Sequence, residues 1–222
     1  MNYEIISSGS KGNATIINGF MLIDCGVSFA KLKNYYKKLS VILLTHIHTD
    51  HFNKSAIKKI AFNKPTIKFV CGEWLVKDLI ECGVKKQNIN IVDFNNTYNF
   101  NTFILEPVLA YHDVPNCGYK IEIEDKKLIY ITDTCSIDHI EAKEFDYYLI
   151  EGNYENEEEL QKRIELKKQN NIFVYETRVS KTHLSKEKAL KYFLENAKDE
   201  SELIYMHETT CSIKELECKE NE

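Results

Sequence analysis

With 222 residues, 43% of them hydrophobic and 11% aromatic, the chain carries enough apolar material for one sizeable core, which excludes a disordered chain and a disulfide-stapled miniature. A formal net charge of -5 excludes binding to nucleic acid through a broad basic surface, so a phosphate-bearing partner must be held locally. Seven scattered cysteines without a C-x-x-C pair point to reduced thiols, mostly buried filler, rather than disulfides or a zinc knuckle.

The opening MNYEIISSGSKGNA lacks the basic start and apolar core of a signal peptide, and no apolar stretch approaches ~18 residues. The expectation is a soluble, cytoplasmic protein with no membrane partner, folded as a single domain over residues 1–222.

In chain order, apolar runs bounded by Gly, Asn and Ser predict strands at 3–7, 14–17, 20–24, 41–44 and 68–71. Between them, Phe29, Leu32 and Tyr36 give helical spacing over 27–38, and Leu75, Leu79 and Cys82 do so over 74–81. A second strand-rich block follows at 90–94, 103–110, 119–124, 128–132 and 147–151. Residues 155–168 form a charged helix whose Glu158-Lys162 and Glu159-Arg163 pairs place the acid four residues before the base, which reads as a solvated face. A last helix spans 185–197, with Ala189, Leu190, Phe193, Leu194 and Ala197 along one stripe, and an apolar run ends at 206. Two strand-rich halves, each with helices, predict an α/β fold with two sheets face to face and helices outside.

The run 41–44 is followed at once by Thr45 and then His46-Ile47-His48-Thr49-Asp50-His51. Imidazole nitrogens and carboxylate oxygens are ligands for zinc-like divalent ions. If the chain stays extended there, His46 and His48 project to one side and can hold one ion, while Asp50 and His51 can serve a second. Six residues cannot complete two coordination spheres, so further donors are required at other strand ends. His112, Asp133 and His207 stand in such positions.

The H-x-H-x-D-H signature at 46–51 resembles the metallo-β-lactamase superfamily. So do the Gly/Ser loop Ser7-Ser8-Gly9-Ser10-Lys11-Gly12-Asn13, the segment Leu22-Ile23-Asp24-Cys25-Gly26, His112, Thr132-Asp133-Thr134 and the late His207. The resemblance implies an αββα sandwich of two mixed sheets with a dinuclear site at one edge. His46, His48 and His112 would bind one ion and Asp50, His51 and His207 the other; Asp133 would bridge them, and Asp24 would orient an imidazole from behind. Two ions roughly 3.5–4 Å apart lower the pKa of a bridging water so that hydroxide is available near neutral pH. Zinc suits this N/O set, with manganese or iron as alternatives.

The fold does not choose the bond that is cut. His183, in Thr182-His183-Leu184-Ser185, stands beside the start of the last helix, where backbone N–H groups favour an anion; the simpler reading makes Ser185 an N-cap and His183 a solvated neighbour. The arrangement is similar to the phosphodiesterase branch containing ribonuclease Z and small exonuclease-like bacterial and phage proteins, as is Ile150-Glu151-Gly152-Asn153-Tyr154. That resemblance gives His183 a role in phosphodiester cleavage, so Asp50 and His183 are the catalytic candidates. The implied substrates are nucleic acid ends, oligonucleotides or cyclic nucleotides, since no clamp domain or protruding arm is present. The alternative is a thioester or lactam hydrolase, and a non-catalytic binding module ranks below both. Lys11, Asn13, Asn116 and Tyr119 are candidate substrate contacts. Cys135 and Cys211 lie near proposed ligands but read as filler, and His139 as structural or solvated. The sequence leaves open a homodimer.

Overall fold

The computed structural model describes residues 1–208. One sheet is built from β1 (Tyr3–Ser7), β2 (Ala14–Ile17), β3 (Met21–Ile23), β4 (Val41–Leu43), β5 (Lys68–Cys71) and β6 (Ile89–Ile91), hydrogen-bonded in that order. The pairs from β1 to β3 are antiparallel and those from β3 to β6 parallel. The other sheet contains β7 (Tyr98–Asn99), β8 (Ile104–Ala110), β9 (Asn116–Ile123), β10 (Lys126–Ile131), β11 (Tyr147–Glu151) and β12 (Glu202–Met206), arranged β12-β11-β10-β9-β8-β7. Here β10, β11 and β12 run parallel, and the remaining pairs are antiparallel.

Side-chain alternation decides the layering. In β3, Met21 and Ile23 point to the cluster between the sheets while Leu22 points outward; β10 sends Leu128 and Tyr130 inward, Ile129 and Ile131 outward. Both faces of the central strands are therefore apolar, and each outer face needs helices to cover it. On the first sheet these are α1 (Phe29–Leu32), α2 (Lys54–Asn63) and α3 (Val76–Glu81); Leu32, Ile57, Ile60 and Leu79 pack with Leu22, Ile42 and Phe69. On the second, after α4 (Glu157–Gln169) and α5 (Glu176–Thr182), α6 (Lys186–Asn196) sets Ala189 and Tyr192 against Ile129, Ile131 and Ile150. Asn53, Asn156 and Ser185 cap α2, α4 and α6 through side-chain oxygens. The result is the expected αββα sandwich. No helix among the described residues is long and apolar enough to cross a membrane.

Several boundaries differ from the expectation. The helix expected over 27–38 is helical only at Phe29–Leu32 and continues as turns, since the consecutive Tyr35 and Tyr36 and the preceding Asn34 are poor helix formers. Helix α2 was not expected, although Asn53 and the Ala56, Ile57, Ile60 spacing encode it. Strand β9 starts at Asn116, three residues before the expected start at 119, which makes Asn116 a strand residue. Helix α4 is not wholly a solvated face: its two i,i+4 ion pairs form, but Arg163 and Lys167 are buried, and Lys167 pairs with buried Glu176 on α5. Cys25, Cys71, Cys82 and Cys117 are free, buried thiols and Cys135 a partly buried one; Cys211 and Cys218 lie outside the described residues.

Candidate metal centre and active site

The strand ends that the sequence singled out converge on one edge of the sandwich. Asp24 follows β3, His46 to His51 follow β4, His112 follows β8, Asp133 follows β10 and His207 follows β12. The loop after β4 is locked to its neighbours by backbone bonds: Asn13 N–H to Asp50 O (2.6 Å), Cys25 N–H to His51 O (2.9 Å) and Asn53 N–H to Cys25 O (2.8 Å). Gly26 permits this approach, because a Cβ there would stand 1.6 Å from Asp50 O. Asp24, Asp133 and His207 have φ of 59°, 56° and 53°, a left-handed conformation that costs about 1–2 kcal/mol in a non-glycine residue. Strain of that kind persists where surrounding contacts hold it, and here it occurs at three of the residues gathered at the edge.

Each of four imidazoles has one nitrogen held by the scaffold and the other turned to a common centre. Nδ1 of His51 lies 2.7 Å from Asp24 Oδ2, Nδ1 of His46 3.0 Å from Thr45 Oγ1, Nδ1 of His112 3.1 Å from Thr182 O, and Nδ1 of His207 3.1 Å from Asn153 Nδ2. The Nε2 atoms of His51 and His207 face carboxylates. His51 Nε2 is 2.9 Å from Asp133 Oδ2, and His207 Nε2 is 3.3 Å from Asp50 Oδ2 and 3.6 Å from Asp133 Oδ1. His46 Nε2 is buried with no hydrogen-bond partner. Ligand atoms of His46, His48 and His112 lie within 4.8 Å of one another, as do those of Asp50, His51 and His207; Asp133 groups with His46 and His51 and also with His207.

An acceptor nitrogen that faces a carboxylate inside a buried site requires a cation, either a proton or a metal. The titration behaviour has the same cause. Burial opposes charge on His51, but Asp133 and Asp24 outweigh it and raise its pKa well above the ordinary value. Burial and then the His51 ring hold His46 well below the ordinary value, which keeps it a neutral ligand. Burial would raise Asp133, yet His51 and His207 hold its carboxyl well below the usual range. The donor set therefore fits divalent ions, with Asp133 within reach of more than one donor group.

A cleft of about 400 Å³ opens over this edge, lined by His48, Asp50, His112, Asp133, His183 and His207 together with Ser10, Asn153, Glu208 and the α5 residues Tyr175, Arg178, Val179 and Thr182. His183 enters it as the C-cap of α5, two residues before the N-cap of α6. Its ring is stacked 5.4 Å from that of His207 and lies 5.3 Å from that of His112. Glu151, at the end of β11 and fully buried, places Oε1 2.6 Å from His183 Nδ1. Burial opposes protonation of His183, but Glu151 and then Asp133 raise its pKa.

Other residues are placed differently from the expectation. Tyr119 is fully buried between the sheets and donates to Leu44 O at 2.6 Å, so it cannot touch a substrate. Asn116 is buried and donates to Thr132 O (3.1 Å) and Asp133 O (2.7 Å), which supports the left-handed turn at Asp133 rather than the cleft. Asn13 is also buried, with Nδ2 2.8 Å from His51 Nε2 and Oδ1 accepting from Gly9 N–H, so it fixes the ligand loop. Lys11 is exposed on the turn beside Ser10 and lies outside the cleft lining. His139 is a surface residue, bonded to Leu109 O and resting against Tyr111.

Sequence reasoning did not assign Glu151, Asp113 or Arg178. An acid ending an apolar strand is the signal that found Asp133, and Glu151 carries the same one. Asp113 lies beside His112, with Oδ1 3.1 Å from His112 Nε2 and 3.4 Å from His48 Nε2, and its other oxygen pairs with Arg178.

Residues 20–207 match the model of the β-lactamase superfamily domain. No curated protein sequence matches the chain. Among solved structures, the metallo-β-lactamase fold protein YhfI from Bacillus subtilis is similar with a TM-score of 0.71 at 16% identity, over 98% of this chain and 90% of that one. Human tRNase Z, short form, is similar with a TM-score of 0.69 at 14% identity, over 94% and 92%. A diphosphatase from the PhnP family is similar with a TM-score of 0.63 at 13% identity, over 93% and 85%. At these identities the likeness is one of fold. The family match, which covers most of the sequence, agrees with the H-x-H-x-D-H motif and with the ligand geometry, and the chain belongs to the metallo-β-lactamase superfamily.

Proposed function

We propose that the protein is a dinuclear metal-dependent phosphodiesterase of the cytoplasm that acts on nucleic acid ends, oligonucleotides or cyclic nucleotides. The observation that carries this reading is the Glu151-His183 pair, placed beside the proposed ligands His112 and His207 and open to the same cleft. Two ions at this edge, zinc by the chemistry of the N/O donors, would supply Lewis acidity and a water acidified to near-neutral pKa. Against the two carboxylates of Asp50 and Asp133 they would leave about +2 of local charge, which attracts an anion to an acidic protein.

His183 supplies what a phosphodiester needs beyond the ions. Its Nδ1 is committed to Glu151, which fixes the ring and favours the protonated form, so that Nε2 can deliver a proton to the departing oxygen. An alkoxide is a poor leaving group and gains much from that proton. A thiolate, with a thiol pKa near ~8.5, leaves with little help. The similarity in fold to a tRNase Z and to a diphosphatase supports the same choice.

The test is turnover of the purified, metal-loaded protein against single-stranded DNA, RNA, cyclic nucleotides, bis(p-nitrophenyl) phosphate, a thioester and a lactam. Turnover confined to the phosphodiesters is expected. Preferred hydrolysis of the thioester or lactam overturns the reading, and metal occupancy without turnover of any substrate assigns a binding module.

A further inference from the structure

Beside the catalytic cleft, the α4–α5 connection exposes aromatic surface that the core does not use. Phe173 is 83% exposed and Tyr175 43%, whereas Val174 between them packs against Tyr154, Leu160 and Ile164. Val174 is thus turned to the core, while Phe173 and Tyr175, two residues apart at the entry to α5, are both exposed to solvent. Tyr175 is held from beneath: the ammonium of buried Lys167 lies 4.1 Å from its ring centroid and is itself pinned by buried Glu176. An exposed aromatic braced in this way loses little entropy when it stacks on a ligand.

Charge and continuity select the ligand. Residues 161–186 hold seven Lys or Arg against two Glu in a chain of net charge -5; five of the seven are paired with acids, Arg178 with Asp113 at the rim of the cleft. Among the described residues, Lys168 and Lys181 are exposed there without an ion pair. Arg178, one helical turn from Tyr175, is 65% exposed at its side chain and lines the cleft with Tyr175 and His183.

We propose that this strip, Phe173-Tyr175-Arg178, is the docking surface for a single-stranded polynucleotide whose end lies in the cleft. Bases stack on Tyr175 and then Phe173, and the backbone phosphate between them and the metal centre meets Arg178. Sequence-tolerant stacking combined with cations is the way single strands are held without base readout. The inference rests on the phosphodiesterase reading and adds the polymer class and the path of the strand.

Fluorescence anisotropy of the metal-loaded protein with fluorescein-labelled octathymidylate and with an abasic strand of equal length, both phosphorothioate-linked, tests it. The wild type is expected to bind the thymidylate at least tenfold more tightly, with F173A losing most of that difference and F173W retaining it. Equal binding of the two strands overturns the proposal. So does a wild-type dimer that F173A converts to a monomer in sedimentation, because the aromatics would then serve a second copy of the chain. Turnover of bis(p-nitrophenyl) phosphate, measured on the same wild-type preparation, keeps the two readings apart: equal strand binding with turnover intact sinks the strip alone, whereas absent turnover sinks the phosphodiesterase assignment.

Discussion

Fully buried Glu151 pairs at 2.6 Å with His183 in the cleft, and its other oxygen accepts from the backbone N–H groups of Thr134 (2.9 Å) and Leu184 (3.2 Å). One carboxylate thus orients the His183 ring and ties the Asp133 turn to the start of α6. Glu151→Gln places an amide nitrogen either against those N–H donors or against the His183 nitrogen. The expected result is a 10- to 100-fold fall in kcat for a phosphodiester with a small change in KM, and a stability loss of about 1–3 kcal/mol in urea denaturation. Kinetics equal to wild type would remove Glu151 from the site.

Asp24 does for the metal centre what Glu151 does for His183. Its Oδ2 holds Nδ1 of His51, and its Oδ1 accepts from the Thr45 backbone at 3.0 Å. Asp24→Asn weakens the hold on the tautomer that leaves Nε2 free. A 10- to 100-fold loss of affinity at one metal site is expected, read by chelator competition.

Gly26→Ala should be far more damaging than Gly19→Ala. A methyl at Gly26 would collide with the Asp50 carbonyl and displace the ligand loop, whereas nothing stands within 4 Å of a methyl at Gly19. The strain at Gly19 comes from its φ of 72° alone, about 1–2 kcal/mol. Metal content after purification distinguishes the two: lost in the first, kept in the second.

The fold was legible where alternation and caps were unambiguous. Strands β1, β2, β5 and β11 lie where the apolar runs placed them. The convergence of the seven proposed donors was legible because they cluster after the ends of four apolar runs, at 41–44, 103–110, 128–132 and up to 206. Strand β9 begins at Asn116, three residues before the expected start; at Gly118 a Cβ would lie 2.7 Å from Tyr130 O, so the glycine marks close approach of strands inside the sheet. The expected run over 119–124 contains Tyr119 but does not reveal its direction: the phenol is buried between the sheets like its inward neighbour Ile121, out of reach of a substrate. Helix α5 gave almost no local signal, since Thr177, Val179 and Thr182 are β-branched and its packing depends on the Lys167-Glu176 pair, which only tertiary structure forms.

Away from the site, Asp146 should govern part of the acid limb of stability. Burial alone would raise its carboxyl, but Lys198, the Lys127 N–H and Lys126 hold it below the usual carboxylate range. A depressed folded pKa gives stability that is present above the unfolded value of ~3.9 and is lost as pH falls toward the folded value. Asp146→Asn is therefore expected to cost about 1–3 kcal/mol at pH 7, with the gap to wild type narrowing below ~pH 4 in denaturant titrations. A gap that does not change with pH would contradict the assignment.

The most direct test of the phosphodiesterase account is kcat for the dinucleotide thymidylyl-(3′→5′)-thymidine, whose leaving group is an alkoxide, in wild type and His183→Ala at equal, measured metal content. The account predicts two ions per chain in both proteins and a kcat about 10²- to 10⁴-fold lower in the variant. Equal turnover in the two, with both sites loaded, would contradict it.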